Sequence, residues 1–420
     1  MGTFKDLGIS IELEQILNKN GITSPTPIQE KSIPSLVNGR DVIAQAQTGT
    51  GKTLSFLLPL MDKIDVDKNH VQGLIITPTR ELAIQITTEA KKLAPAKNIS
   101  ILAAYGGQDV EAQMHKLKNG IHLVIATPGR LLDHMRRENI DIGKLKALVL
   151  DEADEMLNMG FMEEVESIIN RSPKSRQTML FSATISNEVR KLGKKFMRDP
   201  LQIEIEGKNV TLDEIKQVVI ETTDRTKFDT LCKLIDEFRP YLAIVFCRTK
   251  KKVMEVNAGL LSKGYNSDEL HGDLSQAKRE RVMKSFRSAK LQILVATDIA
   301  ARGIDVEGVT HVINYDIPED VDSYIHRIGR TGRIGNIGMA VTLVTHRDQD
   351  SLAMIDKKIK AGFKPKKLDE KQKEGSKRRK AVVSKKEKEV KLEDIPKKYR
   401  PKRAKDSSSS NDNRHRFKKR

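Results

Sequence analysis

Two short stretches carry residues whose types and spacing suit chemistry on a phosphate. In Leu148-Val149-Leu150-Asp151-Glu152-Ala153-Asp154 an apolar, strand-prone run ends in three carboxylates within four residues. A buried parallel strand delivers acids to the carboxyl edge of its sheet in this way, and that edge is where such sheets bind ligands. Upstream lies Ala46-Gln47-Thr48-Gly49-Thr50-Gly51-Lys52-Thr53, between strand-like Asp41-Val42-Ile43-Ala44 and helix-like Leu54-Ser55-Phe56-Leu57-Leu58. Read alone, that octet could be an ordinary glycine-rich strand–helix turn, with Ala46 where the common phosphate loop has its first glycine. The acids at the strand end shift the balance. Together the two stretches describe a nucleotide site. Backbone N–H groups and Lys52 surround phosphates, Thr53 and Asp151 hold Mg²⁺, and Glu152 orients and deprotonates a water.

A third stretch, His326-Arg327-Ile328-Gly329-Arg330-Thr331-Gly332-Arg333, sets three arginines among glycines. It could be a basic surface loop. Arginines at that spacing could also reach a γ-phosphate from across a cleft, as planar donors to spreading charge. In that case the nucleotide binds between domains and hydrolysis depends on their closure.

The elements that must position these residues alternate along the chain. Residues 1–40 read as helix, turn and helix. Strand-like runs follow at Asp41–Ala46, Gly73–Thr77, Ile99–Tyr105, His122–Thr127, Ala147–Asp151, Thr178–Ser182 and Leu201–Glu206, separated by helical patterns. A second block has strands near Gln217–Glu221, Ala243–Cys247, Gln292–Ala296, His311–Tyr315 and Ala340–Val344. Such alternation predicts an α/β fold with parallel sheets covered on both faces, and two blocks of it suggest one fold used twice. The expected organisation is a nucleotide-binding domain over 1–206, a polar linker over 207–214 and a second α/β domain over 215–360. A basic tail without apolar periodicity, expected to be disordered, takes up 361–420.

Composition sets the outer limits. At 420 residues, 38% hydrophobic and 31% charged, the chain reads as a soluble protein of two globular units plus extras. Its apolar runs are too short to span a bilayer and its start shows no signal pattern, which suggests a cytoplasmic protein without membrane attachment. Cys232 falls in an amphipathic helix pattern and Cys247 ends a strand, so both are expected as core residues in a reducing compartment. The formal charge of +18 is concentrated at one end: residues 361–420 hold about 24 Lys or Arg against about 9 acids.

With these residues in view, the chain resembles the DEAD-box RNA helicase family across almost all of residues 4–345. Pro25-Thr26-Pro27-Ile28-Gln29 is similar to the family's Q motif, and Phe4 stands where the family keeps an isolated aromatic upstream of Gly21. Ile22 departs from the aromatic usual after that glycine. AQTGTGKT is the family's own form of the phosphate loop. Pro78-Thr79-Arg80-Glu81-Leu82-Ala83, Gly106-Gly107 and Thr127-Pro128-Gly129-Arg130 resemble its first-domain RNA-contacting motifs, and Ser182-Ala183-Thr184 the motif linking hydrolysis to strand separation. Phe246-Cys247-Arg248-Thr249, Gln276-x-x-Arg279, the run Ala296 to Asp305 and HRIGRTGR complete the set.

The resemblance implies two RecA-like domains that close on ATP and RNA, and a role for each residue. Phe4, Gln29, Thr48, Gly49, Thr50, Gly51, Lys52, Thr53, Gly303 and Asp305 would bind ATP, Gln29 by reading adenine. Lys52, Asp151, Glu152, Arg330 and Arg333 would carry catalysis. Pro78, Thr79, Arg80, Gly107, Thr127, Gly129, Arg130, Arg248, Gln276, Arg279, Thr297 and Asp298 would face RNA. Asp154, Ser182, Thr184 and His326 would couple the domains. The short amino-terminal extension suggests a bacterial-type enzyme, a monomer in catalysis. With no Trp and 4% aromatics, contact with the RNA backbone of single strands and short duplexes is expected over base reading. Ribosomal or messenger ribonucleoprotein is the expected setting. Two other classes share parts of this pattern: a DNA-acting motor of the same superfamily, and an RNA-binding scaffold with a vestigial ATPase.

Overall fold

A computed structural model describes residues 2–46, 50–107, 120–205, 215–301, 306, 308–332, 338–359, 362–363 and 365–367. These all belong to one compact unit, Met1–Leu368. Of the expected site residues, Thr48, Gly49, Gly303, Asp305 and Arg333 lie outside the described residues, as do linker 207–214 and all but the first few residues of the tail.

The first lobe's strands are β1 (Val42–Gln45), β2 (Gly73–Ile76), β3 (Ile101–Ala104), β4 (Leu123–Ala126), β5 (Ala147–Leu150), β6 (Gln177–Ser182) and β7 (Leu201–Glu204). The second lobe's are β8 (Ile215–Glu221), β9 (Ala243–Phe246), β10 (Ser267–Leu270), β11 (Ile293–Ala296), β12 (His311–Asn314), β13 (Gly338–Val344) and β14 (Lys366–Lys367). Every pairing is parallel, in the orders β3-β4-β2-β5-β6-β1-β7 and β10-β11-β9-β12-β13-β8-β14. Strand for strand the two orders are the same. One fold is used twice.

Burial follows the two-residue period of strands. Val42, Ala44, Ile75, Val149, Met179 and Phe181 pack on one face of the first sheet, and Ile43, Leu74, Ile76, Leu148, Leu150 and Leu180 on the other. Both faces need covering, which is why these strands read as continuous apolar runs. Helices α1 (Ile11–Lys19), α2 (Pro27–Val37), α3 (Lys52–Asp62) and α4 (Arg80–Leu93) bury apolar residues into the first face. There Phe56 meets Phe181 edge-on, ring centroids 5.2 Å apart. Helices α5 (Pro128–Arg136), α6 (Ala153–Asn158), α7 (Met162–Asn170) and α8 (Asn187–Phe196) cover the second. In the second lobe α9 (Lys227–Phe238) and α10 (Lys250–Ser262) pack on one face. The opposite face carries α11 (Gln276–Arg287), α12 (Asp298–Ala301), α13 (Val321–Ile328) and α14 (Gln349–Ile359).

Two elements differ from the sequence reading. Strand β10 carries Asp268 and Glu269 between buried Ser267 and Leu270, because an edge strand needs only part of each residue covered. The tail also begins later than residue 361. Phe363 packs edge-on against Tyr324, 6.2 Å between centroids, and Lys366–Lys367 pairs with β8.

Candidate active site between the lobes

The chemistry-bearing residues of the first lobe leave the carboxyl ends of neighbouring strands. Past β1, Gly51 adopts φ +96° as the residue capping α3. A Cβ there would lie 2.7 Å from Gln29 Nε2 and 2.8 Å from Thr26 Oγ1, so only glycine lets the loop press on α2. The Gln29 side chain closes this junction: Oε1 accepts from the Thr26 N–H at 2.8 Å and Nε2 donates to Gly51 O at 3.0 Å. Lys52 then opens α3, with Thr53 partly exposed beside it. The Lys52 ammonium is buried and has no hydrogen-bond partner among the described residues. Phe4 is fully enclosed in the core with Leu13, Leu17 and Ile28, and Ile22 packs at the margin of that cluster. Phe4, expected to bind ATP, is thus a fully enclosed core residue in this structure.

Strand β5 delivers Asp151 and Glu152, both buried. To turn from strand to helix at once, Glu152 takes φ +51°, ψ 52°, a left-handed conformation costly for any residue with a Cβ. Burial pushes the Asp151 carboxyl up to about 7, against the pull of Lys52 and with the help of Glu152. Burial likewise raises Glu152, while Lys52 and then Arg330 of the second lobe oppose the rise. Packed acids whose charge burial disfavours, beside an ammonium with no partner among the described residues, suit a ligand bringing both anionic oxygens and a cation. Among the described residues no group of three or more His, Cys, Asp or Glu could chelate a metal alone. The oxygen donors expected there, the Thr53 hydroxyl and the Asp151 carboxylate, are of the kind Mg²⁺ takes, since it keeps waters and binds phosphate oxygens beside one or two carboxylates.

The coupling residues form one network. Asp154 Oδ2 accepts from the Thr184 N–H at 2.8 Å and its hydroxyl at 2.9 Å. Ser182 Oγ takes the Asp154 N–H at 3.2 Å and donates to Thr184 O at 2.7 Å. Across the gap, His326 Nδ1 meets Glu155 Oε1 at 2.6 Å. Burial opposes a charge on His326, but the hydrogen bond and charge of Glu155, with Asp154 adding to them, win and raise its pKa. Arg330 is buried, and its Nε donates to His326 O at 3.2 Å.

The residues expected to face RNA divide into two groups. Thr79 and Thr127 start α4 and α5 at the ends of neighbouring strands β2 and β4, with Pro78 buried behind the first. Thr79 Oγ1 accepts from the Leu82 N–H at 3.3 Å. Gly129 has open space where a side chain would go, and Arg130 lies beside it, 3.4 Å from Asp133. Two helix N-termini side by side make an anion-binding edge. Arg80 lies so close to Gly106 and Gly107 that a Cβ on either would come within 3.0 Å of its guanidinium. Arg248, half exposed, donates to Ile317 O at 3.3 Å.

Other residues of this set have protein partners. Arg279 is buried, its Nε donating to Glu81 of the first lobe at 2.9 Å and Nη1 to His271 O at 3.0 Å. Gln276 Oε1 lies 3.5 Å from Arg80 Nη1. Asp298 is gripped by both Nε and Nη2 of Arg327, and Thr297 beside it is nearly buried. The sequence reading missed Glu81, Glu155 and Arg327 as partners. Glu81 and Arg327 are charged residues inside the quoted motifs and Glu155 follows one directly, the one hint that the sequence offers of them.

Residues 26–192 match the DEAD/DEAH box helicase family and residues 226–335 the helicase conserved C-terminal domain. The chain belongs to the DEAD-box family of ATP-dependent RNA helicases. Among its relatives is the DEAD-box ATP-dependent RNA helicase CshA of Bacillus cereus, 48% identical over 360 residues, or 86% of this chain and 69% of that protein. The S. cerevisiae protein Dbp5 bound to RNA and ADP BeF3 superposes with a TM-score of 0.79 at 32% identity, over 88% of this chain and 96% of that one. A variant of Dbp5 bound to Nup159, Gle1 and ADP gives 0.60 at 31%, over 86% and 95%.

Proposed function

We propose a division of labour within this ATP-dependent RNA helicase. Gln29 and the capping turn at Thr26 read the adenine. Lys52 and the first N–H groups of α3 hold the phosphates, which supplies the buried Lys52 ammonium with the acceptors that the protein does not provide. Thr53 and Asp151 hold Mg²⁺, which when bound neutralises charge on the phosphate oxygens. Glu152 orients the attacking water and takes its proton. From the second lobe Arg330, with Arg333, meets the charge that spreads over the γ-phosphoryl group as its bond breaks. The observation that carries this reading is that His326, bonded through its carbonyl to Arg330, meets Glu155 at 2.6 Å across the gap, so the second lobe's arginine turn stands against the first lobe's acids.

RNA lies along the N-termini of α4 and α5 and the Arg248 side of the second lobe, gripped by its backbone. Closure bends the strand, separates short duplexes locally and stimulates hydrolysis, through Asp154, Ser182, Thr184 and His326. The Arg279–Glu81 and His326–Glu155 pairs hold the closed arrangement. The proposed setting is ribonucleoprotein in the cytoplasm, and the proposed working unit a monomer. Among the described residues no helix is long and apolar enough to cross a membrane.

Glu152→Gln tests the core of this assignment. It keeps shape and hydrogen bonding but cannot take a proton. ATP and RNA binding should persist while RNA-stimulated turnover falls roughly 10²- to 10³-fold. Wild-type turnover in this variant would remove Glu152 from the mechanism.

A further inference from the structure

The helix that carries Gln29 and the helix that carries Lys52 both start at the nucleotide site and both end at one ammonium. Lys63 caps the far end of α3. Its Nζ donates to Leu36 O, in the last turn of α2, at 2.6 Å and to Gln177 Oε1 at 2.8 Å. Gln177 in turn donates from Nε2 to Leu36 O at 3.0 Å and to Arg40 O at 2.7 Å. The partners of Lys63 are thus neutral groups, and among the described residues no carboxylate bonds to it. Burial without an opposing charge lowers its pKa, so the ammonium is held at a cost.

Both helices need such a tie. Pro34 lies inside α2 and Pro59 inside α3. Each proline removes a backbone donor and loosens the link between the first turns and the last. An eleven-residue helix is about 16 Å long, so a shift of its far end tilts the near end, where Gln29 touches Gly51 at hydrogen-bond distance.

We propose that Lys63, with Gln177, is a positioning residue for nucleotide recognition: it pins the far ends of α2 and α3 and so fixes Gln29 against the phosphate loop. It acts on the affinity and base selectivity for the nucleotide and leaves the chemical step alone. The proposal rests on the reading that Gln29 recognises adenine.

The test is steady-state ATPase at saturating RNA with ATP and with GTP, for wild type, Lys63→Met, Lys63→Arg and Gln29→Ala. Lys63→Met should raise the KM for ATP about 5- to 10-fold and cut the preference for ATP over GTP by a similar factor, with kcat within about twofold. Lys63→Arg, which keeps a donor to Leu36 O, should restore most of both. A merely structural role would lower Tm and the active fraction, hence apparent kcat, without moving KM or selectivity. Should Lys63→Met fail to fold, Gln177→Glu, which draws the ammonium away from Leu36 and removes both Nε2 bonds, should shift KM and selectivity in the same direction. Selectivity lost in Gln29→Ala but kept in the Lys63 or Gln177 variant overturns this proposal alone. Selectivity unchanged in Gln29→Ala overturns the adenine reading and this proposal with it.

Discussion

In the first lobe, Lys52 opens the helix after the first strand and Asp151 stands just past β5. In the second, Lys227 opens the helix after β8 and Asp316 stands just past β12, the corresponding strand. The scaffold and the residue types are the same. Lys227 Nζ meets Asp316 Oδ1 at 3.1 Å, and the other carboxylate oxygen takes the Arg248 N–H at 3.0 Å. Among the described residues Lys52 Nζ has no such partner, and the Asp151 carboxylate accepts from the N–H of its neighbour Glu152, at 3.0 Å. The connecting loops differ to match. Thr222, Thr223 and Thr226 bond to one another and close the second-lobe turn on itself, whereas Gly51 caps the first-lobe helix at φ +96°. A satisfied pair is structure, and a pair held apart is a binding site.

The same substitution in both lobes should break that comparison cleanly. Lys52→Met should reduce RNA-stimulated ATPase by roughly 10³-fold or more while Tm hardly moves, since no protein hydrogen bond is removed. Lys227→Met should leave ATP affinity within twofold but destabilise the protein by roughly 1–3 kcal/mol, because the partly buried Asp316 loses its cation. Calorimetry and turnover on both variants check this. Equal loss of Tm in the two would mean that the lobes do not differ in the way argued.

Arg330→Ala should lower RNA-stimulated kcat about 10³-fold with little change in ATP affinity, the mark of an interaction made in the transition state. A parallel loss in affinity would make Arg330 a ground-state ligand.

The His326–Glu155 pair gives a pH dependence of known sign. A histidine whose pKa is raised in the closed protein stabilises closure fully below about pH 6.5, and the contribution is lost as pH rises through the raised value. RNA-stimulated ATPase should therefore fall several-fold as pH climbs above the ordinary imidazole range, and His326→Gln should flatten the profile. An unchanged profile in that variant would assign the titration elsewhere.

The smallest catalytic effect is expected from the tail. Cutting after Leu368, past Phe363 and the last strand, should change kcat at saturating RNA by less than about twofold. It should weaken RNA binding and flatten its salt dependence, by about 0.7 in log–log slope for each phosphate that the tail neutralises. Coincident salt series for the two proteins would exclude an electrostatic tether.

How much of this was legible in the sequence depends on the range of the interaction. Alternating apolar runs revealed the strands, since a strand buried on both faces must be apolar throughout. Strand β10 escaped because Asp268 and Glu269 sit at an edge where water reaches them. The site residues announced themselves by type and local spacing, but their partners did not. Glu81 and Arg279 are 198 residues apart, and nothing local to either marks the other. Asp298, read as facing RNA, carries a carboxylate bound bidentately by Arg327, a pairing made only once α12 and α13 pack together. The asymmetry between Lys52 and Lys227 is also invisible in one dimension, because each is a lysine opening a helix.

The strand order has a consequence for how the protein is made. Strand β1, which ends at the phosphate loop, lies between β6 and β7, the last two strands of its lobe to be synthesised. Its hydrogen-bonding edges are not both filled until residue 204 has left the ribosome, which at 5–20 residues per second is roughly 8–30 s after β1 itself. A nascent chain in that interval carries an incompletely paired, largely apolar strand and no finished nucleotide pocket. The first lobe acquires its ligand site only at the end of its own synthesis, and the second repeats the delay, with β8 waiting for β13 and then for β14.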